Sequence, residues 1–157
     1  MRLSQFPSVL ILCFPALLFS GCVSFHGGAV IRNVEHSLID IQKAVELHLP
    51  LGKRTTSTNG REFYSNYFTV TDGRMQNGDR APERFYAQVF VLGDERPYNV
   101  EVVVHRERRR ARGGEVSLDY DEVSTDSNLA RVLARRIQLT LSKRRDDRNI
   151  IDDFRVF

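Results

Sequence analysis

The chain has 157 residues and sets 23 Lys and Arg against 20 Asp and Glu, a net charge of +3, so its pI near 9.1 reflects a slight arginine excess. So small a net charge gives no argument for nucleic acid as a partner. A hydrophobic share of 41% at this length is enough for the packed core of one domain.

The N-terminus reads as a secretory signal, with Arg2 followed by an apolar run from Phe6 to Phe19. That run is interrupted by Pro7 and Pro15 and falls short of the roughly 20 apolar residues a membrane span needs. It closes on Leu18-Phe19-Ser20-Gly21-Cys22, which resembles the lipobox of bacterial lipoproteins, although Phe19 stands where leucine is usual. The resemblance covers residues 1–22. It implies cleavage before Cys22, a thioether-linked diacylglycerol on that cysteine and a fatty acyl group such as palmitate on its new amino terminus. Two or more acyl chains anchor a protein stably to a bilayer. Val23 after the cysteine resembles the pattern that permits transfer to an outer membrane, where the host has one. An ordinary cleaved signal, cut near Gly27-Gly28-Ala29, is the rival reading. With Cys13 in the discarded segment and Cys22 lipidated, no cysteine remains for a disulfide. The expected organisation is a signal peptide at 1–21, an anchor and linker at 22–28, and a single domain at 29–157.

From Ala29 to Leu49, Ile31, Val34, Leu38, Ile41, Val45 and Leu49 recur at three- and four-residue steps, which predicts an amphipathic helix ended by Pro50 and Gly52. Lys53 to Arg61 reads as a loop. Four strands are predicted next: one over 62–71, one over 83–92, one from Tyr98 to His105 and one around Val116–Tyr120. Phe85, Ala87, Val89 and Val91 share one parity, as do Tyr98, Val100, Val102 and Val104. Arg84, Tyr86, Gln88, Phe90, Asn99, Glu101, Val103 and His105 then fall on the opposite face. Thr125 or a neighbour is expected to cap a second helix, with Asp126 in its first turn, a buried stripe of Leu129, Val132, Leu133, Ile137 and Leu141, and Lys143, Arg144 and Arg145 near its end. The apolar tail 150–157 is left between a short strand and a packed segment.

Two one-sided helices need a surface to cover. The expectation is an α+β two-layer sandwich, a four-stranded antiparallel meander with two helices on one face. The element order is similar to that of small envelope lipoproteins such as the lipopolysaccharide-assembly lipoproteins, a likeness of architecture alone.

Chemistry is sparse. His26, His36, His48 and His105 form no close ligand pair, so neither a metal site nor a catalytic set is predicted, and no cofactor. Asp119, Asp121, Glu122 and Asp126 lack the spacing of a calcium loop. The sharpest feature is Arg106, Arg108, Arg109, Arg110 and Arg112, read as the tip of a hairpin. It is either a solvated sheet end or a contact for an anion or a partner, since guanidinium matches phosphate and carboxylate. The expected function is a lipid-anchored, non-enzymatic binding or assembly accessory of the cell envelope. Its partners are the membrane, through Cys22, and an envelope protein or anionic lipid. The alternatives are an envelope enzyme whose site converges only in three dimensions, and an anion- or lipid-binding protein using the arginines.

Overall fold

Tyr98, Val100, Val102 and Val104 share one parity, against Asn99, Glu101, Val103 and His105 on the other, which makes a strand that can be buried on one side, and it is the longest strand among the described residues. In the structure, a computed structural model that describes residues 27–112 and 115–152, it runs from Tyr98 to Arg112. In chain order the elements are β1 (Ala29–Val34), α1 (Leu38–His48), β2 (Lys53–Thr56), β3 (Glu62–Ser65), β4 (Phe68–Thr71), β5 (Arg74–Asn77), β6 (Glu83–Leu92), β7 (Tyr98–Arg112), β8 (Glu115–Thr125) and α2 (Ser127–Asp152). The lipobox and Cys22 lie outside the described residues, as do residues 153–157 of the tail.

The eight strands form one antiparallel sheet of order β1-β7-β6-β3-β2, to which β8 adds on β7 and the β4–β5 hairpin adds on β6. This corrects the expected four-stranded meander: the chain is mostly β, with twice that number of strands. The element order behind the likeness to envelope lipoproteins is corrected with it, because a strand precedes the first helix.

Each departure has a local cause. Ile31 and Val34 are spaced like helix neighbours but are both buried in β1. A register shift between them, with Asn33 at φ 55°, puts two residues three apart on one face. β2 (KRTT) and β5 (RMQN) carry almost no apolar signal. β2 is an edge strand, exposed throughout, where charge guards against pairing with other chains. β5 is turned back on β4 by Asp72-Gly73, both at positive φ (51° and 73°), as a tight two-residue hairpin requires.

The run 62–71 is broken at Asn66-Tyr67, and buried Ser65 repairs the break: its hydroxyl accepts from the Ala87 amide at 2.8 Å. The cap of α2 is Asp126, whose carboxylate accepts from the Asn128 and Leu129 amides, and not a residue inside the first turn. The helix continues to Asp152, which places Lys143 mid-helix and turns the start of the tail helical.

The core lies on one side of the sheet. Ile31, Phe63, Phe68, Ala87, Val89, Val91, Val100, Val102 and Val104 meet Ile41, Ala44 and Val45 of α1 and Ala130, Leu133, Ala134, Ile137 and Leu141 of α2. Small residues at 130 and 134 let α2 approach β7 and β1 closely, and α1 packs beside α2. His48 Nε2 lies 2.7 Å from Thr140 Oγ1 and ties the helices together. Partial burial, then the charge of Arg136, lowers the pKa of His48.

Two outcomes follow. Val102→Asp, placing a charge where exposure is nil, should cost about 4 kcal/mol in chemical denaturation, whereas Val123→Asp at a half-exposed bulge should cost within about 0.5 kcal/mol. The His48 pKa is depressed in the folded state, so its contribution is present above the ordinary value of 6.5 and is lost as pH falls. Melting curves should therefore decline on acidification below pH 6.5, and His48→Gln should flatten that part of the decline.

Candidate functional site

The sheet face opposite the helices is built from the other parity of the same strands. Direct pairing sets Glu62 beside Phe90, Tyr64 beside Gln88, Gln88 beside Val103, Phe90 beside Glu101 and Tyr86 beside His105. A chain of hydrogen bonds crosses these strands. The Tyr64 hydroxyl donates to Glu62 Oε1 at 2.6 Å, and Gln88 Nε2 donates to the same oxygen at 2.7 Å and to the Tyr64 hydroxyl at 2.8 Å. With its amide nitrogen so engaged, Gln88 turns Oε1 towards His105 Nε2, 3.0 Å away. The other ring nitrogen lies 2.8 Å from Glu122 Oε1 on β8.

Aromatic rings and arginines close one flank of this network. Tyr86 stacks on His105 with centroids 4.6 Å apart and meets the Tyr67 edge at 5.9 Å. Arg54 covers Tyr67 at 4.2 Å, and Arg84 sits between Tyr67 and Tyr120 at 3.5 Å from each ring. Arg84 Nε also bonds Glu107 at 2.7 Å, so the guanidinium is held by charge and by π-faces together. Burial, then the carboxylates of Glu122 and Glu107, push the Tyr86 phenol up to about 12. The hydrogen bond to Glu62, then burial, raises the Tyr64 phenol.

Beside the network lies an apolar concavity of about 420 Å³ lined by Gln88, Phe90, Leu92, Glu101, Val103 and His105. Val103 at its base is only 2% exposed although it faces away from the core. Its cover comes partly from Gly28, where a Cβ would lie 2.8 Å from the Val102 carbonyl oxygen and 3.0 Å from Val103 Cγ2. The chain therefore enters the fold at the rim of the concavity. Among the described residues the Glu101 carboxylate has no ion-pair partner.

The arginine run is strand and not a hairpin tip, which corrects its expected placement. Alternation divides it between the two faces. Arg106 and Arg108 follow the core parity and both pair with Glu83, at 2.6 and 3.3 Å, and the bond from Arg106 leads in lowering the Glu83 pKa. The Arg106 Nε is buried with no hydrogen-bond partner. Arg109 donates to the Tyr120 hydroxyl and the Arg80 carbonyl, and Arg110 pairs with Asp121. The side chain of Arg112 lies outside the described residues, as does His26.

The acidic set is likewise dispersed, since Asp121 serves Arg110, Glu122 serves His105 and Asp126 caps α2. Among the described residues no group of three or more His, Cys, Asp or Glu is placed to hold a metal ion, and no helix is long and apolar enough to cross a membrane. Of the functional residues, parity brings Gln88, Phe90, Glu101, Val103 and His105 together. Glu62 and Tyr64 escaped sequence reasoning, and Glu122 was weighed there only as a calcium ligand and not as a partner of His105. The signal that could have found Tyr64 and Glu62 is their two-residue spacing in the aromatic run 62–68. Comparison with protein-family models, with curated proteins and with solved structures found no match to this chain.

The raised Tyr86 pKa gives a test of this packing. The folded state holds the phenolic proton beyond the ordinary value of 10, so stability falls as pH rises from 10 towards about 12. Tyr86→Phe should flatten that alkaline loss, and spectrophotometric titration should show one tyrosine fewer in the late-ionising class.

Proposed function

We propose that the protein is a lipid-anchored, non-enzymatic binding or assembly accessory of the cell envelope, and that the sheet face opposite α1 and α2 is where it holds its partner. The observation that carries this is the concavity over Val103: an apolar hollow lined by Phe90 and Leu92, with the hydrogen-bonded Gln88 and His105 beside them and a carboxylate at Glu101 that has no ion-pair partner among the described residues. Pockets that bind combine apolar walls with a few convergent polar groups. The carboxylates of Glu62, Glu101 and Glu122 on this face favour an occupant that is apolar in body and cationic at one end, such as a lysine-bearing segment of an envelope protein. The resemblance of residues 18–22 to a lipobox supports the anchor on Cys22.

The enzyme reading would recruit His105 and Glu122, a histidine oriented by a carboxylate. The second ring nitrogen, which such a base needs for its substrate, is occupied by Gln88 Oε1. The anion-binding reading of the arginine run is weakened in the same way, since Arg106, Arg108, Arg109 and Arg110 already have partners within the chain.

Two experiments test the two halves of the proposal. Hexylammonium should perturb the Val103 methyl resonances at a concentration about tenfold below that needed for hexanoate, and Glu101→Gln should abolish the difference. Equal effects of both ligands, or none, would remove the site from this face. For the anchor, Cys22→Ser should shift the exported protein from the detergent phase to the aqueous phase or leave it as uncut precursor. A variant processed and still fully membrane-bound would refute lipidation at Cys22.

A further inference from the structure

α2 is amphipathic twice over. At about 100° per residue, Ala130, Leu133, Ala134, Ile137 and Leu141 form the stripe that meets the sheet, and Leu139 lies on the opposite side of the helix with Val132 about 20° from it. These two aliphatic side chains face solvent, at 59% and 45% exposure. By the same rotation Arg131 and Arg135 flank them on one side and Arg136 and Lys143 on the other, all exposed. From Ser127 to Lys143 the helix carries no Asp or Glu.

An outward apolar ridge between two rows of cations does not serve the core, which the other face already fills. It also disfavours pairing of this helix with its own copy, because the four cations would be brought against four more. The chemistry it matches is a surface with anionic groups at the level of the guanidiniums and hydrocarbon just beneath, which is how interfacial helices meet anionic phospholipid. We infer that the outward face of α2, Arg131, Val132, Arg135, Arg136, Leu139 and Lys143, docks on an anionic phospholipid bilayer. The inference rests on the envelope reading above for the presence of that bilayer. Under the same reading Cys22 is six residues from Gly28, a reach of roughly 20 Å, which keeps the domain within docking distance. Docking through α2 turns the opposite sheet face, with its concavity, away from the membrane.

The chain has no tryptophan, so a single introduced indole is a clean reporter of depth. The full chain carrying Leu139→Trp, and separately Leu92→Trp on the sheet face, would be bound to vesicles of phosphatidylcholine with or without phosphatidylglycerol, the acyl chains brominated. The indole at 139 should shift to the blue and be quenched on phosphatidylglycerol vesicles, whereas the indole at 92 should stay unquenched. Replacing Arg131, Arg135 and Arg136 together by Ser should weaken the docking equilibrium on the order of a hundredfold, removing the quenching while the melting transition is kept.

Quenching at 92 and not at 139, quenching at neither, or quenching at 139 indifferent to phosphatidylglycerol or to the three arginines would overturn the inference. So would a blue shift at 139 that appears without vesicles as protein concentration or an added acidic polypeptide is raised. Flotation with neutral vesicles reports the N-terminal anchor separately. A chain that floats with the indole at 139 unquenched refutes docking alone, and one that fails to float yet is quenched on anionic lipid refutes the anchor alone.

Discussion

The pairing of β7 is the constraint on which the rest depends. Residues Asn99 to Arg108 match β6 residue for residue, and the other edge of β7 is shared between β1 near its start and β8 near its end. A strand held on both edges has its backbone donors and acceptors spent on its neighbours, so its alternation becomes a rigid division of side chains. Val100, Val102 and Val104 go under the helices, and Val103 and His105 go to the opposite face. A one-residue slip would expose the three valines and bury Glu101 and His105, which no partner on the core side could compensate.

That division gives the protein two surfaces with different chemistry. The side opposite α1 and α2 is polar where its network is closed, as from Glu62 to Glu122, and apolar where Phe90, Leu92 and Val103 leave a hollow. Its aromatic rings are fixed by arginines stacked on them, so the flank beside the hollow is stiff and pre-shaped. The helical side presents cations and isolated aliphatic side chains. The sheet, the core and the body of α2 thus separate the proposed partner site from the proposed lipid contact, which would let one domain engage both at once.

Much of the central sheet was legible because β6 and β7 each keep one parity apolar, Phe85 to Val91 and Tyr98 to Val104, and the other parity is the one that carries Gln88, Phe90, Glu101, Val103 and His105. β1 was not legible, because its bulge at Asn33 turns a strand into helix-like spacing. β2 and β5 lacked apolar residues since an edge or a hairpin arm has little core to fill. The arginine run read as a turn on charge density alone. In the structure its charges are tolerated within a strand because Glu83, Tyr120 and Asp121 stand across from them on β6 and β8. Glu122 was hidden for a related reason: only the β7–β8 register, with its shift beside Glu107, carries it to His105.

Hydrogen exchange of the backbone amides tests the central role of β7 most directly. The account predicts that amides from Val100 to Val104 exchange only through global unfolding and are the slowest in the chain, while those of β2 and the β4–β5 hairpin exchange through local opening. If the β7 amides exchange as fast as those of β2, β7 is not the element that fixes the two faces, and the account fails.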